Sequence, residues 1–252
     1  MTSLHALIQT LDDWMKPELL KDYAPNGLQV EGRDTISRLA LGVTASADVI
    51  QQAVAWGADA LLVHHGYFWR NEPPVLTGMK GQRVRALMNH QMSLIAYHLP
   101  LDCHAEFGNN KALLDQLGLV GGQPISEENG LLWSVPLPNA MTIDQLALQV
   151  QSALGRAPMV IESSRGSETL SRLVVCTGGA QDYLTKALYY GADVYLSGEI
   201  SERTTHEARE LGVHYIAAGH HATERYGIQA LGQKLASTLG VDVAFFDDHN
   251  PA

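Results

Sequence analysis

The pattern of apolar and polar positions repeats along this chain. Leu39–Leu62 lies over Leu173–Leu196 without a gap, with identity at Leu39/Leu173, Asp48/Asp182, Ala53/Ala187, Gly57-Ala58-Asp59/Gly191-Ala192-Asp193 and Leu62/Leu196. Most other positions exchange one apolar residue for another. Each copy reads as a short β-rich run (Arg38–Val43; Arg172–Cys176), a small-residue turn, an amphipathic helix, and Gly-Ala-Asp opening a second buried strand. The glycine ends the helix, where a residue free to take positive φ is favoured. A further helix (about 81–90; about 202–211) and a third strand (Ser93–Tyr97; His214–Ala218) follow in both copies. Apolar runs of this length bounded by helices predict parallel sheets covered on both faces. The expected fold is α/β, with two similar lobes from an internal duplication and mostly parallel or mixed sheets flanked by helices.

Around the copies the periodicity predicts an N-terminal helix (Leu4–Met15), strands near Leu131–Pro136 and Pro158–Ile161 flanking a helix (Ile143–Leu154), a C-terminal helix (Thr223–Leu239) and a final strand (Val241–Phe246). Gly and Pro punctuate Gly121-Gly122-Gln123-Pro124, which suggests lobes of residues 1–122 and 123–252. Pro136-Leu137-Pro138-Asn139 reads as a turn.

The 252 residues suffice for a sizeable core, and 46% hydrophobic with 17% charged residues is ordinary for a globular protein. A formal charge of −10 argues against a nucleic-acid backbone as main partner, since that affinity needs clustered Lys and Arg. A small anionic substrate stays open, because bound cations can dominate the local field. The longest apolar runs, such as Ala60–Val63, fall far short of the ~20 residues of a membrane-spanning helix. Met1–His5 lacks the pattern of a signal peptide, so the expected location is the cytoplasm, away from membranes. Cys103 and Cys176, far apart in sequence, read as reduced thiols.

The histidines change the picture. Ligands of open parallel sheets bind beyond the carboxyl ends of the strands, and there the chain places His64-His65, His98 with Asp102, and His220 with Glu224. Adjacent strand residues point to opposite faces, so His64 and His65 share a site only if the chain turns, which Gly66 permits. The i,i+4 spacing of His220 and Glu224 puts both on one face of an opening helix. Pro100 argues against a helix at His98–Asp102, where only proximity is expected. Imidazole and carboxylate donors suit Zn, Mn, Fe, Co or Ni better than Ca or Mg. Five ligands, His64, His65, Asp102, His220 and Glu224, suit two ions with open positions, although spacing alone leaves a single ion open. His5, His90, His104, His206, His214 and His249 read as hydrogen-bonded surface residues.

Asp22-Tyr23-Ala24-Pro25-Asn26-Gly27-Leu28-Gln29-Val30-Glu31-Gly32, Val63-His64-His65-Gly66, Tyr97-His98-Leu99-Pro100-Leu101-Asp102 and Gly219-His220-His221-Ala222-Thr223-Glu224 resemble the four signatures of the Nif-three-like family, the type-2 homologues of GTP cyclohydrolase I. The resemblance runs nearly end to end and is strongest to the short bacterial YbgI-like branch. It implies that the five residues hold a dinuclear centre with Glu224 bridging, that the lobes exchange C-terminal elements, and that the partner is the chain itself, in a toroidal homohexamer.

Asn26-Gly27 reads as a turn pair that needs no function. The repeat sets Glu199 where His65 stands, so Glu199 and His98 are candidates for catalysis or for supporting the ligands. Tyr67, Phe68 and Trp69 either wall a substrate base or pack in the core or against a subunit. Cys176-Thr177-Gly178-Gly179 is too short for a phosphate loop. The favoured function is a metal-dependent hydrolase of the cyclohydrolase type, acting on a nucleotide or cyclic amide through a metal-activated water. A ring-shaped metal-binding scaffold or sensor and a di-iron oxidoreductase are the alternatives.

Overall fold

The computed structural model describes residues 1–252, the side chains of Asn139 and Ala140 excepted. In chain order the elements are β1 (Thr2–Ser3), α1 (Leu4–Met15), β2 (Gly27–Val30), β3 (Thr35–Ile36), β4 (Arg38–Thr44), α2 (Ala47–Trp56), β5 (Ala60–His65), α3 (Gly78–Asn89), β6 (Ser93–Ala96), α4 (Leu99–Cys103) and α5 (Asn109–Gln116). They continue with β7 (Gln123–Pro124), β8 (Trp133–Met141), α6 (Ile143–Leu154), β9 (Met159–Ile161), β10 (Leu170–Cys176), α7 (Leu184–Tyr189), β11 (Val194–Ser197), α8 (Glu202–Leu211), β12 (His214–Ala217), α9 (His220–Leu239) and β13 (Asp242–Phe245).

The chain divides into two compact units. The first is Met1–Leu101 with Ile228–His249, the second Asp102–Gly227 with Asn250–Ala252. The glycine-rich stretch expected to part the lobes instead lies within the second unit, leading into edge strand β7. A Cβ at Gly122 would lie 2.6 Å from Leu114 Cδ1, so close packing accounts for that glycine. Asp102, which the boundary at residue 122 assigns to the first lobe, opens the second unit.

In the first unit the sheet order is β13-β4-β5-β6-β2, with β2 alone antiparallel. Strands β4, β5 and β6 are buried almost throughout and read as continuous apolar runs. One apolar cluster joins β4 and β5 (Ala40, Leu61, Val63) to α2 (Val49, Ile50, Ala53) and α3 (Val84, Leu87). Ser46 caps α2 by accepting from Val49 N at 3.2 Å, and Gly57 ends it at φ 77°.

The second unit's sheet runs β7-β8-β10-β11-β12-β9, parallel only through β10-β11-β12. Its apolar residues form two clusters, one joining the sheet to α6 (Leu146, Val150, Leu154) and one to α7 and α8 (Leu184, Ala187, Ala208). Pro136 and Pro138 lie inside β8 and not in a turn. They fall beyond the end of β7, on an open edge and beside a register shift against β10, where a missing N–H breaks no ladder.

Matched positions of the sequence repeat make matched bonds. Leu39 pairs with Ala60 as Leu173 pairs with Val194. Asp59 Oδ2 accepts from Ser37 N at 2.8 Å and Arg38 N at 2.9 Å, and Asp193 Oδ2 accepts from Ser171 N at 2.7 Å and Arg172 N at 3.0 Å. Each aspartate of the Gly-Ala-Asp triplet thus ties the start of its second strand to the start of the first. Among the described residues no helix is long and apolar enough to cross a membrane.

Candidate metal centre

In the first unit, His64 and His65 end β5 and their rings lie 4.4 Å apart. Gly66 matters by its smallness, for a Cβ there would lie 2.2 Å from Gln29 Oε1 and 2.7 Å from Ala96 Cβ. Gln29 reaches back from β2, accepting from Tyr67 N at 2.7 Å and donating to Pro25 O at 2.8 Å, and so holds the turn after the histidine pair.

Each imidazole has a partner that sets its orientation. Fully buried His64 places Nδ1 3.1 Å from Tyr97 O. A carbonyl only accepts, so Nδ1 carries the proton and Nε2 keeps a lone pair. His65 Nδ1 lies 3.1 Å from Thr44 Oγ1. His98 sets Nδ1 2.7 Å from Asp22 Oδ1. Burial opposes ionisation of Asp22, but hydrogen bonds from His98, Asn26 and the Tyr23 amide outweigh it and hold the carboxyl well below the usual range. His98 therefore donates through Nδ1, leaving Nε2 as acceptor. One nitrogen from each of His64, His65 and His98 comes within 4.8 Å of the others, a group able to hold a metal ion.

Asp22 and Asn26 build the seat for His98. Asn26 Oδ1 accepts from His98 N at 2.7 Å, Asn26 Nδ2 donates to Asp22 Oδ2 at 2.9 Å, and Leu99 N donates to Asp22 Oδ2 at 3.0 Å. Asn26-Gly27 is thus more than a turn: Asn26 fixes His98, and Gly27 opens β2 at φ 95°. Of the three aromatic residues after the histidines, Trp69 alone faces both His65 and His98, with ring centroids 5.9 and 4.9 Å away. Tyr67 is buried and donates its hydroxyl to Ala45 O at 2.6 Å, while Phe68 packs on the core.

The second unit holds Asp102, His220, Glu224 and Glu199. Pro100 sits in the first turn of α4, where its missing N–H costs nothing, so a short helix delivers Asp102. Asp102 Oδ1 accepts from Asn109 Nδ2 at 2.7 Å and from Thr177 Oγ1 at 3.4 Å. His220 and Glu224 share the first turns of α9, with Nε2 3.2 Å from Glu224 Oε2 and Nδ1 2.7 Å from Glu199 Oε1. Burial disfavours its charge, but the two carboxylates prevail and push His220 up to about 9. Asp102 and Glu224 are 7% and 3% exposed and bring oxygens within 4.8 Å of each other.

The loop after β10 completes the second unit's cluster. Gly178 (φ 70°) comes so close that a Cβ would lie 2.1 Å from Glu224 Oε1, and its N–H donates to Thr223 Oγ1 at 3.0 Å. Asn110 Oδ1 accepts from Thr177 N at 3.0 Å. Cys176 is buried, and its thiol is pushed up by that burial and then by the charges of Asp102, Cys103 and Glu224, so it stays neutral.

Sequence reasoning missed Asp22, Gln29, Asn109, Asn110, Thr177 and Gly178 as parts of these clusters. Asp22 and Gln29 stood in a motif without an assigned role, and no sequence signal marked Asn109 or Asn110, which open α5 and are fully buried.

A family model described as Duf34/NIF3 (NGG1p interacting factor 3) matches residues 2–251. A GTP cyclohydrolase 1 type 2 homolog of Allochromatium vinosum is 50% identical, covering 100% of this chain and 98% of the relative. Its namesake in Vibrio cholerae is 48% identical over 96% of each chain. The solved structure of protein ybgI, described as of unknown function, superposes with a TM-score of 0.95 at 42% identity over the whole of both chains. TTHA1606 from Thermus thermophilus gives 0.90 at 30% identity, again over both whole chains.

Proposed function

The chain belongs to the Duf34/NIF3 family, and from that premise we propose that it is a hydrolase using two divalent ions held by His64, His65, Asp102, His220 and Glu224. One observation carries the reading. Two carboxylates, Asp102 and Glu224, are buried beside each other, and like charges so placed favour a cation between or next to them.

The remaining donors fit. His64 keeps a lone pair on Nε2 because Nδ1 is engaged by Tyr97 O. His220, flanked by Glu199 and Glu224, holds a proton that a cation would replace. With imidazole and carboxylate donors and a neutral Cys176, the ions are Zn, Fe, Mn, Co or Ni. When bound, such a pair polarises a carbonyl or phosphoryl group and brings the pKa of a water toward neutrality.

The chain's own groups do the rest. His98, steadied by Asp22, offers Nε2 to take up a proton. Glu199 orients His220 through Nδ1 and is a positioning residue. Trp69 supplies an apolar face beside His65 and His98. The relatives' name, GTP cyclohydrolase 1 type 2 homolog, supports nucleotides and cyclic amides as the substrate class.

Elemental analysis tests the ligand set: His64→Ala and Glu224→Ala should each sharply lower bound metal with an unchanged circular dichroism spectrum. Full metal content in both would refute the assignment. A hydrolysis screen of nucleotides and cyclic amides with metal-loaded protein tests the activity, and no turnover of any would refute that part. The same reading takes the protein to be a toroidal homohexamer, which sedimentation equilibrium checks.

A further inference from the structure

Two adjacent asparagines open α5, and both are fully buried, a costly place for side chains rich in donors and acceptors. Their hydrogen bonds converge on Asp102. Asn109 Nδ2 donates to Asp102 Oδ1 at 2.7 Å, and Asn110 Nδ2 donates to Asp102 O at 3.2 Å. One helix turn thus grips both the side chain and the backbone of Asp102. Asn110 also donates to Leu131 O at 3.1 Å and accepts from Thr177 N at 3.0 Å. Thr177 in turn brings its hydroxyl to Asp102 Oδ1 at 3.4 Å, so the same turn of α5 sets two donors to that carboxylate.

Helix α9 makes room for this grip. Gly227 stands three residues after Glu224, on the same side of the helix, in an interior position where glycine is unfavourable. A Cβ there would lie 2.2 Å from Asn109 Oδ1 and 2.9 Å from Asn109 N, so α5 comes this close only because residue 227 has none. With its amide oxygen turned to Gly227, Asn109 faces Asp102 with its nitrogen, as an ionised carboxylate requires, since such a group only accepts. The donor is also neutral. Asp102 and Glu224 are buried within 4.8 Å of each other, where like charges repel, and an amide holds Asp102 there without a positive charge that would compete with a cation.

We propose that Asn109 is a positioning residue for the candidate metal centre: seated against Gly227, its amide locks the Asp102 carboxylate beside Glu224, while Asn110 fixes the backbone from which Asp102 extends. The inference rests on the reading of Asp102 and Glu224 as metal ligands and does not depend on hydrolysis. A cation then meets a carboxylate pair already assembled, and the binding energy is not spent on ordering Asp102.

Zinc affinity of the full chain, measured by competition with a chromophoric chelator, tests this in the wild type and in Asn109→Leu, Gly227→Ala and Asp102→Ala. Leucine keeps the branched shape of asparagine and lacks the donor. Asn109→Leu should weaken zinc binding about 10–100-fold and alter the visible spectrum of the cobalt-loaded protein, which reports ligand geometry. A merely structural asparagine would change the stability of the chelated protein and neither of those readouts. Gly227→Ala retains the amide but crowds it, so it too should weaken zinc binding, and the double variant should lose little more than the worse single one. Circular dichroism establishes which variants fold, and Gly227→Ala alone decides the matter if Asn109→Leu does not. Wild-type zinc affinity and an unchanged cobalt spectrum in the folded variants overturn the inference, and loss of zinc by Asp102→Ala in the same series would leave the ligand reading standing. Wild-type zinc affinity in Asp102→Ala would overturn both.

Discussion

Hydrogen-bond acceptors decide which nitrogen each histidine presents, and at His98 that acceptor is Asp22. Its side chain is 4% exposed and receives His98 Nδ1, Leu99 N and Asn26 Nδ2. Because its carboxyl is held below the ordinary value of 3.8, its stabilisation is complete above that pH and is lost as pH falls below it. Asp22→Asn removes the charge at every pH. The substitution should cost about 1–3 kcal/mol at neutral pH, and the gap from wild type should narrow progressively as pH falls below the usual carboxylate range. Urea unfolding at neutral pH and near pH 3 checks this; a gap independent of pH would refute it. Asp22 was visible in the sequence only as a member of a motif. Its partner lies 76 residues away, and nothing in local periodicity links two such positions. The placement of His64 and His65 at a strand end, and of His220 and Glu224 on one helix turn, was legible because strand ends and helix spacing are local properties.

Among the elements, the repeat was the most legible feature, since Gly-Ala-Asp recurs in register and its physical role recurs with it. Asp59 and Asp193 each accept two backbone amides at a strand start, but their surroundings differ. Asp59 is 9% exposed and also receives Arg33 Nη1 at 3.0 Å, whereas Asp193 is half-buried and takes the Ser171 hydroxyl at 2.7 Å. Removing a charged acceptor leaves buried donors unpaired, and the cost rises with burial. Asp59→Ala should therefore lower stability by roughly 2–4 kcal/mol and Asp193→Ala by about 1–2 kcal/mol. Chemical denaturation of both variants checks the order, and an equal or reversed cost would show that burial does not govern it. Strand β8 was less legible, because its prolines resemble a turn unless the open edge is known. Glycines inside α9 are similar: Gly232 is unfavourable by propensity alone, yet a Cβ there would meet Leu41 Cδ1 at 2.1 Å, a demand imposed by β4.

For the whole molecule, the five proposed ligands are contributed by both compact units, and the reading requires them to serve one centre. The alternative is two independent metal sites, one built on the imidazoles of the first unit and one on the carboxylates of the second. Linkage separates these cases. An ion that binds only the folded protein stabilises it by RT ln(1 + [L]/Kd), about 2.7 kcal/mol at a hundredfold excess over Kd. If one centre needs both sets of donors, His65→Ala and Glu224→Ala should each forfeit nearly all of that metal-dependent stabilisation, and the double variant should lose no more than either alone. Independent sites would instead make the two losses add, as distant and unconnected positions do. Thermal unfolding of wild type, both single variants and the double variant, each with excess zinc and with chelator, measures the coupling directly. The chelated samples matter most, because they remove whatever each substitution costs the fold itself. Additive losses of metal stabilisation would break the shared centre in two and leave the hydrolase without its paired ions.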